Sequence, residues 1–218
     1  MSNPVDIKIA HINTQDQSKG SLDKDKVYEV FQKNINEVLK GLYRLQQEWV
    51  NRAYLNFNDF DTYLILMYLM NKVYINYSDR FHYMSMDAFY SQEKVGIEKL
   101  NLIEISKELN IPKETVRRKI NYLQKHDIII RTGKTIFLNS KGLEIQKPLA
   151  TIENMATLLS KVSIYLSAED WFGKALEKED IKKFITEHFT VSWEYWYRFQ
   201  IPYLTRHRAF FGDLESWN

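Results

Sequence analysis

Apolar residues recur along most of this chain at helical spacing. Phe31, Ile35, Val38, Leu42, Leu45 and Trp49 step by four and three, a heptad seam that predicts one long helix from a Ser21 cap to about Leu55. Asn58, followed by Asp61, opens a second helix over 59–75, "DFDTYLILMYLMNKVYI", apolar around most of its circumference and therefore expected in the core. Periodicity is lost over 76–98, which reads as an irregular connection with one helical turn near Met86–Phe89. Ile152, Met155, Leu158, Leu159, Val162 and Leu166 mark an amphipathic helix. Ser167 with Asp170, and then "KEDIKKFITEHF", predict two shorter ones. Phe189, Trp193, Trp196 and Gln200 share one face of a last helix that Pro202 is expected to end or kink, while Tyr195 and Phe199 point elsewhere.

The stretch 98–139 has a different rhythm. Asn101 and Glu104 stand at capping-box spacing ahead of a short helix whose buried face is Ile105 and Leu109. Asn110 tolerates the left-handed geometry of a helix end, and Pro112 suits the start of the next helix. There Val116, Ile120 and Leu123 fall at i, i+4 and i+7. At about 100° per residue the opposite face centres on Glu114, Arg118, Asn121 and Lys125, flanked by Thr115, Arg117 and Tyr122. Lys119 lies nearer the core side, and His126 and Asp127 end the helix. Strands are predicted at 128–131 and 135–138 around a turn at Thr132-Gly133, where glycine supplies positive φ. A third short strand is assigned to "EKLN", 98–101.

Composition supports a mainly α protein, with only 7 Gly and 4 Pro in 218 residues and 44% hydrophobic content to fill a core. The absence of cysteine excludes disulfide and thiolate chemistry. The first twenty residues are polar, read as disordered and without a signal peptide. The longest apolar run, 62–70, is far short of the roughly 20 residues that span a bilayer. These features predict a cytoplasmic protein with no membrane partner. The net charge of +2 is unevenly spread. Nine cations against four acids between Lys99 and Lys134 leave +5 there, and about −3 on the remainder, an electrostatic footprint suited to a phosphate backbone.

On these residues, "LNLIEISKELNIPKETVRRKINYLQKHDIIIRTGKTIFLN" resembles the winged helix-turn-helix of bacterial transcription regulators. The resemblance implies a recognition helix placing Lys113, Glu114, Thr115, Arg117, Arg118, Asn121, Tyr122 and Lys125 in or beside the major groove of double-stranded DNA. Arg131 and Lys134 on the wing would touch phosphate or the adjacent minor groove, and Ser106 and Lys107 on the first helix would meet phosphates. Helices on both sides of the module are similar in layout to MarR-type regulators, where terminal helices make the dimer. The expected organisation is a disordered 1–20, a long helix over 21–56 that is a candidate for dimerisation, a DNA-binding domain over 57–145 and a helical dimerisation or effector region over 146–218. A plasmid or phage replication initiator and a winged-helix protein-interaction module are the competing readings.

Little else competes. The chain has no glycine-rich phosphate loop, no His-Glu-x-x-His and no nucleophile elbow, and its five histidines are scattered, so neither enzyme, metal nor cofactor is expected. Ten aromatics between Phe189 and Trp217 suggest packing within the subunit or at a homodimer interface, with a pocket for a small apolar effector as the second reading.

Overall fold

The computed structural model describes residues 23–81, 83–97, 101–133, 135–169 and 172–211. The disorder expected over 1–20, the Ser21 cap, Lys134 and Asp170 lie outside these residues.

The helix predicted over 21–55 is two helices. In α1 (Lys24–Lys33) the Asp23 carboxylate accepts the Asp25 N–H at 2.9 Å. Asn34 then leaves helical geometry, and its side-chain amide donates to the Val30 carbonyl at 2.9 Å. Such local bonding competes with the backbone ladder, which is why the chain breaks here before α2 (Ile35–Phe57). Val38, Leu45 and Trp49 of the heptad seam are buried, whereas Ile35, beside the break, is 43% exposed. The seam faces this chain's own core, because α2 packs on α3 (Phe60–Phe81) and α8 (Leu149–Ser167).

Asn58 ends α2 in left-handed geometry, φ 46°, rather than starting the next helix. The residue that caps α3 is Asp59, whose carboxylate accepts from the Asp61 N–H at 3.1 Å and from the Thr62 hydroxyl. From Tyr63 to Met70 every α3 side chain is buried, as the all-round apolar pattern predicts. α3 also continues through 76–81, where periodicity is lost, so the expected irregular connection is much shorter. After it come α4 (Met86–Tyr90), at the expected turn, and β1 (Lys94–Ile97).

α5 (Leu102–Leu109) and α6 (Lys113–Lys125) lead into β2 (Ile129–Thr132) and β3 (Thr135–Asn139). The antiparallel sheet has the order β1-β3-β2, with Val95 and Ile129 both opposite Leu138. The third strand therefore lies just before the assigned 98–101, of which 98–100 are outside the described residues and Asn101 is a helix cap. Gly133 takes the hairpin turn at φ 63°. α7 (Ser140–Gln146) follows β3 directly, and a Cβ on Gly142 would stand 2.4 Å from the Ile128 carbonyl oxygen.

α8 is as predicted, but Ser167 ends it instead of capping another helix. α9 (Lys178–Glu187) is joined to α8 through Glu153, which Lys178 and Lys182 both engage. α10 (Phe189–Phe211) continues through Pro202, so of the expected end or kink the end is corrected. Its inner face explains why. Phe189, Trp193, Tyr197, Gln200, Ile201 and Leu204 are buried, largely against α3, and that packing outweighs one missing backbone donor. Tyr74 of α3 meets Phe189 and Tyr197 edge-on at 5.7 and 5.6 Å. The result is a mainly α protein with a small three-stranded antiparallel wing, helices lying on both sides of it in the chain.

Candidate nucleic-acid interface

The turn between α5 and α6 is built from local chemistry. Asn101 caps α5 by accepting the Ile103 N–H at 2.9 Å. The reciprocal half of the box does not form, because Glu104 is drawn to α3. Tyr68 donates to it at 3.0 Å and Lys72 pairs with it at 2.6 Å, the ammonium holding the carboxyl below its usual range. Asn110 turns the chain at φ 52°, ψ 39°, and the Ile111 N–H returns to the Ser106 carbonyl at 3.1 Å. Ile111 is buried, and Pro112 precedes α6. Ile105, Leu109, Val116, Ile120 and Leu123 then seat both helices on the core.

This seating turns the opposite side of α6 outward. Lys113, Glu114, Arg117, Arg118, Asn121, Tyr122 and Lys125 are exposed and Thr115 is half-buried. The cations on this helix are not equivalent. Arg117 is spent on a two-pronged pair with Glu114, Nε at 3.0 Å and Nη2 at 2.5 Å. That hydrogen-bonded pair lowers the Glu114 carboxyl and raises the Arg117 guanidinium. Lys119 turns inward and pairs with Asp59 of the α3 cap. Lys113, Arg118 and Lys125 form no ion pair among the described residues. Tyr122 leans along the helix, its ring 4.0 Å from that of His126.

On α5, Lys107 is exposed and Ser106 half-buried. Arg131 of the wing is exposed, with its Nε donating to the Gly133 carbonyl at 3.2 Å across the hairpin turn. Lys134 is outside the described residues. The fold thus gathers the α6 positions onto one outward face.

Residues 97–140 match the DeoR-like helix-turn-helix domain. The match covers α5, the turn, α6 and both strands of the hairpin, the same segment that carries the surplus of positive charge. The match supports DNA binding by this helix-turn-helix segment. No curated protein and no solved structure matches the chain. Among the described residues no helix is long and apolar enough to cross a membrane, and no group of three or more His, Cys, Asp or Glu could hold a metal ion.

Two contacts that sequence reasoning missed hold this head in place. One is Lys119 with Asp59. The other is Arg208 of α10, which reaches both Asp61 and the carbonyl of Asn110. The only signal for either was an acid at the start of one helix and a cation far along the chain.

Proposed function

We propose that the protein reads a specific double-stranded DNA sequence with α6 and regulates transcription in the bacterial cytoplasm as a homodimer. The observation that carries this reading is the outward face of α6, where Lys113, Arg118 and Lys125 stand without ion pairs among the described residues, on a DeoR-like helix-turn-helix. Arg118 has the paired donors that read a guanine edge in the major groove, and Asn121 the donor and acceptor that read an adenine edge. Lys113, Ser106, Lys107 and the wing residues Arg131 and Lys134 serve phosphates, which fix register rather than sequence. Arg117, already paired with Glu114, acts with it as a polar unit beside the groove.

The homodimer reading draws on two exposed apolar stripes. One is Tyr28, Ile35, Leu39 and Tyr43 on α1 and α2. The other is Tyr195, Phe199, Tyr203 and Phe210 on α10. Exposed apolar residues aligned on one side of a helix are the kind of surface that association covers. Two copies would set their recognition helices about 34 Å apart, one turn of DNA.

Fluorescence anisotropy on duplexes selected from a random pool tests both parts. Affinity is expected to fall linearly on a log–log salt plot, with two chains bound per site. Arg118→Ala is expected to weaken the selected site by about 1–3 kcal/mol while random DNA is bound nearly as before. Salt-insensitive binding, or equal binding of both proteins to the selected site, would remove α6 as the reading helix.

A further inference from the structure

The first turn of α3 carries two carboxylates two residues apart, and each holds a different helix. Asp59 pairs with Lys119 of α6. Asp61 receives the Arg208 guanidinium of α10 through Nε at 2.7 Å and Nη2 at 3.1 Å. The remaining Nη1 donates at 3.1 Å to the main-chain carbonyl of Asn110, the left-handed residue that turns α5 into α6. Both charged side chains are four-fifths removed from solvent, at 19% and 20% exposure. One planar fork therefore joins α10, α3 and the turn of the DNA-binding unit. A lysine could not do this, since its point-like ammonium does not present parallel donors to a carboxylate together with a third to a separate oxygen.

We propose that Arg208 is a positioning residue for DNA reading, and that α10 is through it a working part of the helix-turn-helix. The Asn110 carbonyl lies beyond the last acceptor that α5 can pair internally, so its partner fixes where the chain departs. Holding that carbonyl to Asp61 fixes the turn, and the turn with the Asp59–Lys119 pair fixes the angle at which α6 leaves the body. The inference rests on the reading that α6 binds DNA.

The test uses the full chain with Arg208→Lys and Arg208→Gln, and Arg118→Ala as the comparison. Thermal unfolding, hydrogen exchange of the amides at 110–114, and binding to selected and random duplexes across a salt series are measured on each. Below their unfolding temperatures, Arg208→Lys and Arg208→Gln are expected to exchange faster at 110–114 and to lose about tenfold or more affinity for the selected site. Their salt slopes should stay at the wild-type value, because Arg208 neutralises no phosphate.

Several outcomes would overturn the proposal. Wild-type affinity of the folded variants is one, and rescue of affinity by Arg208→Lys is another. A slope reduced by about 0.9 would make Arg208 a phosphate contact instead. Should the wild type show no salt-dependent binding, the DNA reading itself fails. Exchange at 110–114 then still decides whether Arg208 holds the turn.

Discussion

On α6, neighbouring cations have separate tasks. Arg117 and Glu114 satisfy each other on the surface, so Arg117→Ala should leave the unfolding temperature where it is. Lys119 is different, because its partner is a half-buried cap. Burial raises the Asp59 carboxyl, but the Lys119 ammonium and the Thr62 hydroxyl and N–H outweigh it and hold the group below its usual range. A carboxyl whose folded pKa is depressed contributes fully above its unfolded value and loses that contribution as pH falls through the folded one. In Lys119→Met the counter-charge is gone, so the Asp59 pKa should rise. Stability near neutral pH should fall by about 1–2 kcal/mol, between the values for exposed and buried pairs. Urea unfolding at pH 7, with NMR titration of Asp59, checks both, and an unchanged midpoint would deny the pair any structural role. The sequence placed Lys119 toward the core side correctly, from its angle on the helix. It could not name a partner 60 residues away.

Elements were legible where local chemistry is decisive. The 3.6-residue spacing of Val116, Ile120 and Leu123, the left-handed Asn110 and the turn at Gly133 all hold as read. Boundaries set by other parts of the chain were not legible. Residues 76–81 show no period, yet α3 carries on through them. α10 passes Pro202 because α3 covers its inner face, and β1 is defined only by β3 beside it. The α5 capping box had the right spacing, but Tyr68 and Lys72 claimed its glutamate. α7 offers a direct test of such contacts. Gly142 lies in its first turn, with its N–H on the Asn139 side chain at 3.0 Å and no room for a methyl beside the Ile128 carbonyl. Helix propensity favours alanine there by up to about 1 kcal/mol. The clash is with backbone, which cannot swing aside, so Gly142→Ala is expected to destabilise by about 1–3 kcal/mol. Chemical denaturation measures the balance, and a gain in stability would show that propensity wins.

At the scale of the whole molecule, the DNA-binding segment is embedded in the body. α3 touches α2, α5, α6, α10 and β1, and α10 touches α3, α4, α5 and α9. Gln46 of α2 and Gln200 of α10 exchange buried amide hydrogen bonds at 3.0 and 2.6 Å where their helices meet, fixing one helix on the other. The basic segment was visible in the sequence as a local surplus of charge. Its attachment was not, since its ties join residues far apart in sequence, 60 positions for Lys119 and Asp59 and 147 for Arg208 and Asp61. The burial of α3 also bears on how this protein can vary. An amphipathic helix such as α6 accepts polar substitutions in a wave with its own period. Tyr63 to Met70 has no outward side on which such a wave could rise. Saturation mutagenesis scored by the yield of folded protein should therefore give a periodic tolerance profile over 113–125 and an unbroken trough over 63–70. In a lineage of such proteins, α3 would be slower to change than α6.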